Sequence, residues 1–507
     1  MTTILLQPTD VLFFRDGRPM TGSLAGHGDA WPLPNVINAA FHAALHRAQL
    51  DADGSQKLHT HRRGAHGVYA ENAPRNRKFG SLITAGPFPV RVGQAPGLPV
   101  PGVSDSEDLP PAPRETGLQR RPEPSGQRPD PQHTWFFPRP NDLQDATLQP
   151  ALLPADSFDS VQSSLPDPLE YAVANRLAPS KETGAKSWLS AAAYQRYLAG
   201  TDLALNEGDS LNDTDFADTE HSIGIAIDPG TGTTGQGEAA GKMYSAHYLR
   251  LRETWQLGVC AAAEDKEFNH QQHGSDLVKA LLNGGQHQII VGGQQRICSA
   301  RVADTALPLP RGKADGFREQ DGRFLVKWIL LSPAVWPAIE AETTRNINAH
   351  PGGWLPNWIH PQTGEVLLKT GDTARHEQEN REVWRQRVRR QANITARLVA
   401  AIIPKPLVVT GWALPDEHGE TDSEQHGGAQ STHLAVPAGA VYYFEAGSAE
   451  EARKLAAALN WHGSEPTPTT IRNRRSTLLG EKGFGLGVCG TWQFYQTSPD
   501  VPVNDLE

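Results

Sequence analysis

The residues with the clearest chemical potential lie near the end of the chain, in LLGEKGFGLGVCGTW. Gly485, Gly487 and Gly490 stand at the spacing G-x-G-x-x-G. That spacing cradles a dinucleotide pyrophosphate when it follows a strand and opens a helix inside a βαβ unit. Here Gly490 runs into TWQFYQT, which is aromatic and reads as a strand, and too little chain follows for the rest of the unit. A nicotinamide cofactor is therefore not expected. A phosphate-binding P-loop fails too. In GQGEAAGKM, Gln236 stands where the first glycine belongs and Met243 replaces the magnesium-binding hydroxyl.

The glycines then mark a loop whose backbone must come close to something. Gly483, Gly485 and Gly487 remove obstructing side chains and permit positive φ, and exposed N–H groups on such a loop form anion sites. Just upstream, TIRNRRSTLLGEK supplies Arg472, Arg474, Arg475 and Lys482. Arginine beside a glycine loop suits a polyphosphate backbone. The competing reading is a glycine-rich hairpin with solvated arginines.

Other polar residues suit nucleic-acid contact. Arg15 and Arg18 flank the Asp16-Gly17 turn after the first apolar run; a strand-end arginine there could meet a phosphate, and the competing reading is a salt bridge between Asp16 and one of the arginines. His27, in SLAGHGDAW, lies on a glycine-flanked loop. Near neutral pH a histidine there could deprotonate a ribose hydroxyl or contact a phosphate or base; the competing reading is a structural loop histidine. Arg62 and Arg63 belong to the stretch Lys57 to Lys78, in which Glu71 is the sole acid; it reads equally as a hairpin or as a disordered basic surface loop. Trp31 could stack on a base, although an aromatic next to Pro32 more often packs in a core. The arginines Arg385, Arg387, Arg389 and Arg390 follow Glu377, Glu379 and Glu382, the pattern of a solvated helix face.

Metal-dependent chemistry finds no ligand set. There is no HExxH, no HD pair and no GGDD, and GGQQ at Gly292 to Gln295 offers no carboxylate. His59, His61 and His66 have mixed spacing, and His270 and His273 lack a third ligand nearby, whereas zinc needs three or four converging ligands. No metal and no cofactor are expected.

The elements that must position these residues alternate strands with loops. TTILLQP reads as a strand. PNVINAAFHAALHRAQL reads as a helix opened by Pro34, with Val36, Ala40, Ala43, Ala44 and Leu50 as its apolar face. SLITAGPFPVRV reads as strand, turn, strand. KSWLSAAAYQRYLAG is a helix closed by Gly200, and SAEEARKLAAALNW is a helix with Ser448 as N-cap and Glu451 completing a capping box. Long antiparallel-looking strands with few helices indicate an α+β fold. Gln94 to Gln132 is rich in proline and glycine without periodicity, the mark of a surface insertion. The polar run Thr201 to Glu220 suggests a domain junction, giving domains over 1–215 and 216–507.

The 507 residues suit two or three domains, and 38% apolar content suffices for a core. A net charge of −10 argues against a non-specific nucleic-acid coat protein but leaves room for a local basic groove. No run approaches the ~18–20 apolar residues of a membrane span, no signal peptide is apparent, and Cys260, Cys298 and Cys489 are too dispersed for a disulfide framework. A cytoplasmic protein is expected.

Several words of the sequence carry a resemblance. GEKGFGLGVCG running into a strand resembles the glycine-rich loop of the RAMP superfamily of CRISPR-associated RNA-binding proteins. PTDVLFFRDGRPM followed by PLPNVINAAFHAAL resembles the start of the third subunit of type III-B (Cmr) effector complexes. WFFPRPNDL, WLSAAAYQRYLAG, EHSIGIAID, IIVGGQQR, LLSPAVWPA, GGWLPNW and AVPAGAVYYFE follow in that family's order, so the likeness spans the chain. The insertions Gln94–Gln132 and Glu417–Ser431 depart from the pattern. The resemblance implies two packed ferredoxin-like, RRM-related domains and a non-catalytic subunit that holds the 5′ tag of CRISPR RNA. It implies contacts with the large cyclase-bearing subunit and the backbone RAMP subunit, and a thumb hairpin entering the guide–target duplex, for which Lys57 to Lys78 is the candidate. The rival from another class is a metal-independent CRISPR RNA-processing endoribonuclease with His27 as base.

Overall fold

The computed structural model describes residues 1–14, 24–26, 31–48, 82–93, 133–156, 169–176, 179, 184–225, 227–228, 230–234, 243–263, 276–283, 287–303, 305–343, 347–371, 376, 379–413, 428–429 and 431–495. Arg15, Arg18, His27, Arg62 and Arg63 lie outside them, as do the candidate hairpin 57–78, the insertion 94–132 and most of 417–431.

Two antiparallel sheets organise the described residues. In the eight-stranded sheet, four adjacent strands lie side by side in the order Ile297–Val302, Thr2–Pro8, Trp255–Ala262, Ile83–Val92. Numbered along the chain, that is fourth, first, third, second. The helix Pro34–Arg47 follows the first of these strands and Leu277–Leu281 follows the third. The second sheet repeats the order. Gly487–Thr491 pairs with Arg323–Leu330, which pairs with Val441–Ala446, which pairs with Ala396–Ile402. Again this is fourth, first, third, second, with the helix Ala449–Leu459 after the third strand.

The division expected at residue 215 cuts across the first sheet. Trp255–Ala262 and Ile297–Val302 lie beyond that residue, yet both pair with Thr2–Pro8. The polar run that suggested a junction supplies the edge strand Ser210–Leu211, the short helix Asp213–Phe216 and the start of the strand Ala217–Ile225. The second sheet begins only at Arg318. Long-range pairing of this kind leaves no local signal, because a strand records which faces are buried but not its neighbours.

Strand alternation sorts the core. From Thr2–Pro8, Ile4 and Leu6 join the cluster under the first helix, while Leu5 joins a second cluster shared by the two sheets. From Arg323–Leu330, Leu325 and Ile329 enter the shared cluster, while Val326, Trp328 and Leu330 enter the outer core of the second sheet. The two sheets therefore pack face to face through one continuous apolar layer.

Helix Pro34–Arg47 starts at the expected proline, but its buried face is Ile37, Ala40, Phe41, Ala44 and Leu45, with Ala43 exposed. The large Phe41 and Leu45 set the phase rather than the small alanines. Gly200 closes Ala191–Ala199 at φ 71°, its N–H donating to the carbonyls of Arg196 and Tyr197. Ser448 caps Ala449–Leu459 by accepting from Glu451 N. Glu451 itself turns to Thr395 N and Lys454 instead of completing the box. The arginine helix Arg381–Arg390 lies against little of the second sheet, with Val383 half exposed. Trp336, Leu355 and Ile359 from the loops cover the outer face of that sheet in its place.

Candidate nucleic-acid interface

The glycine-rich loop enters the strand Gly487–Thr491, the strand character that argued against a dinucleotide fold. The close approach inferred from its glycines is made to the chain's own residues. A Cβ on Gly483 would lie 2.7 Å from Thr84 O, and one on Gly487 would run into the Trp328 indole. One on Gly485, which holds φ 76°, would meet the backbone of Ser476. The N–H groups expected to form an anion cradle are already used. Gly483 N donates to Gly480 O, Gly485 N to Pro333 O at 2.7 Å, and Leu486 N to Ser332 Oγ at 3.0 Å. Residues Gly483 to Gly490 are all buried. The loop therefore clamps the second half of the chain onto Pro34 and Thr84 of the first.

The neighbouring cations divide by environment. Arg475 turns inward: its Nε donates to Ala458 O at 2.7 Å, its carbonyl accepts from Trp336 Nε1, and burial pushes its guanidinium down to about 10. Its position is that of a structural side chain. Arg472 is exposed and engaged with Glu465, Nε to Oε1 at 2.7 Å. Arg474 is half-buried and its Nη1 has no hydrogen-bond partner; burial lowers its pKa, opposed by Glu481. Lys482 sits at the turn beside it, half exposed. The unpartnered Nη1 of Arg474 is thus a buried donor, while Lys482 is only partly buried. On the arginine helix, Arg387 is held by Glu379 at 2.6 Å, whereas Arg385, Arg389 and Arg390 are exposed without an ion pair among the described residues.

A charged cluster that sequence reasoning missed sits between the two sheets. Lys327 is buried on the second sheet, and its Nζ lies 2.8 Å from Asp142 Oδ2 and 2.6 Å from Tyr197 Oη. Tyr197 donates in turn to both oxygens of Asp142 at 2.7 and 2.8 Å. Burial pulls the lysine below its usual value, and Asp142 opposes that pull. No local pattern announces a pair 185 residues apart; the lysine inside the apolar run RFLVKWILL was the one available signal.

A family model for a CRISPR-associated protein, Cas_Cmr3, matches residues 4–492. The chain belongs to the Cas_Cmr3 family. Two solved chains similar to it are described as the cryo-EM structure of the type III-B Cmr-beta bound to cognate target RNA and AMPPnP, state 1, and the same complex bound to cognate target RNA. Each is 12% identical, covering 87% of this chain and 86% of the other, with TM-scores of 0.31 and 0.32. No curated protein matches.

Within this Cas_Cmr3 chain, the words that carried the likeness have structural work of their own. In VGGQQR, Gly292 adopts φ 79° against Phe13 O, and Gln294 accepts from Tyr248 Oη at 2.9 Å, which fixes a tight turn. Trp31 is half-buried, edge-on to Phe216 at 5.2 Å, with its Nε1 donating to Pro87 O, so it packs as the Pro32 neighbourhood suggested. No group of three or more His, Cys, Asp or Glu positioned for a metal exists among the described residues. No described helix is long and apolar enough to cross a membrane.

Proposed function

We propose that this chain is a non-catalytic RNA-binding and scaffolding subunit of a type III-B effector complex. It holds the 5′ tag of the guide RNA and docks the large cyclase-bearing subunit and the backbone RAMP subunit. The observation that carries this reading is the family match over nearly the whole chain, residues 4–492. The phosphate contacts are assigned to Arg472, Arg474 and Lys482 at the loop, and to Arg15, Arg18, His27, Arg62 and Arg63, which lie outside the described residues. Gly483, Gly485, Gly487 and Arg475 act indirectly, by holding the loop on which Arg474 and Lys482 stand.

Each sheet is read as a ferredoxin-like domain. The repeated order fourth, first, third, second supports this, with a helix after the third strand in both. The first runs to about the start of the strand at Arg318 and the second from there on.

Incubating the purified chain with repeat RNA in EDTA tests the non-catalytic part. The proposal expects intact RNA; site-specific cleavage would make the chain a metal-independent endoribonuclease instead.

A further inference from the structure

Between the two sheets, on the side of the glycine-rich loop, lies a cleft of about 670 Å³. One wall comes from the first half through Trp31, Pro87 and Trp188, the other from the second half through Pro333, Leu407 and Val408. Its volume is that of a site for two or three large side chains.

Its chemistry is one-sided. Seven of the lining residues are prolines, which have no N–H to donate. Neither lysine nor arginine lines it among the described residues. The lining carries one formal charge, the exposed Asp213, whose Oδ1 accepts from Trp188 Nε1 at 2.7 Å, while its Oδ2 has no hydrogen-bond partner among the described residues. The wall therefore offers apolar surface, carbonyl oxygens and a carboxylate. Such a wall repels phosphate and welcomes donors, the opposite of what a nucleic-acid backbone requires.

The rim extends the apolar surface. The ribbon formed by Leu407–Val409 and His433–Ala435 is anchored by buried Val409, yet leaves Leu407 37%, Val408 38% and Leu434 59% exposed. A contiguous apolar rim beside an aromatic-lined recess is the form of a protein-binding hot spot.

We infer that this cleft docks a segment of a partner protein that inserts an aromatic or aliphatic side chain against Trp31 and Trp188. The segment carries an arginine or lysine that reaches Asp213. The occupant is protein and not RNA, on the ground of charge complementarity, and the inference stands apart from the RNA-binding reading, because it uses none of the cations assigned there.

The test uses the full chain and saturation-transfer NMR with three probes: N-acetyl-Phe-Leu-Arg-amide, N-acetyl-Phe-Leu-Glu-amide and adenosine 5′-monophosphate. The arginine peptide is expected to bind about tenfold more tightly than the glutamate peptide, the size of one favourable charge contact against one unfavourable. Asp213→Asn keeps an acceptor for Trp188 and should bring the two peptides to equal affinity. Leu407→Ser with Val408→Ser, both on the exposed rim, should weaken both peptides several-fold while the circular dichroism spectrum stays unchanged. The inference is overturned if the arginine peptide gives no saturation transfer, if Asp213→Asn leaves the tenfold preference in place, or if adenosine monophosphate binds more tightly than the arginine peptide.

Discussion

Lys327 Nζ lies 2.8 Å from Asp142 Oδ2, and neither side chain reaches solvent to any useful extent. Tyr197 closes the triangle by bonding to both. The pair ties the first strand of the second sheet to the turn after His133–Pro138 of the first, through a layer that is otherwise apolar. A buried pair contributes little net stability, but losing one partner strands the other in a low-dielectric interior.

Lys327→Met should therefore destabilise the chain by about 3–5 kcal/mol in urea unfolding. Lys327→Met combined with Asp142→Asn should recover a large part of that loss, since no charge is then left alone. Equal losses for the single and double variants would show that the two side chains do not interact.

Gly487→Ala should lower the unfolding free energy by about 1–3 kcal/mol, the usual range for an overpacked core. Its Cβ has no space beside the Trp328 indole. Gly480→Ala is the control from the same loop. The nearest atom to its Cβ is Arg474 Cβ at 3.7 Å, and its backbone angle is ordinary, so stability should stay within about 0.5 kcal/mol of the parent. If both variants unfold alike, the loop is not a clamp.

Arg475→Ala should cost stability before it costs RNA affinity. It removes a charge-assisted bond to Ala458 O, worth about 1.5–3 kcal/mol. Arg474→Ala should cost less stability than Arg475→Ala, because its Nη1 has no hydrogen-bond partner among the described residues to lose. Melting temperatures and filter binding on the same preparations separate the two roles; a stability loss confined to Arg474→Ala would exchange them.

His462 is buried beside Trp461, and burial holds its imidazole below the usual pKa. The unfolded chain then binds a proton that the folded chain does not. Stability contributed at this position is present above the unfolded value near 6.5 and is lost as pH falls toward the folded value. The fall in unfolding free energy between pH 7 and pH 5 should be smaller in His462→Phe than in the parent. An identical fall in both would show that His462 titrates normally.

The chain's local grammar was readable. Pro34, Gly200 and Ser448 mark helix ends where the structure has them, because capping and proline geometry act over a few residues. The glycines at 483, 485 and 487 announced a close approach but not its object, since an absent side chain carries no information about what fills its place. The strand pairing across residue 215 went unseen for the same reason as the Lys327–Asp142 pair. Thr2–Pro8 pairs with Trp255–Ala262 across hundreds of residues, and polar composition in Thr201 to Glu220 reflects an exposed edge. The family resemblance succeeded because it used the order of many short words rather than any one of them.

The central claim, a non-catalytic RNA-binding subunit, is tested most directly by filter binding of 5′-tagged guide RNA across a salt series. Phosphate contacts to a single strand lower log K by about 0.7 per contact for each unit of log salt. The account predicts tight, salt-sensitive binding of tagged RNA with the RNA recovered intact. It predicts a slope shallower by about 0.7 for Arg474→Ala and again for Lys482→Ala. Affinity independent of salt, or a slope unchanged in both variants, would contradict it.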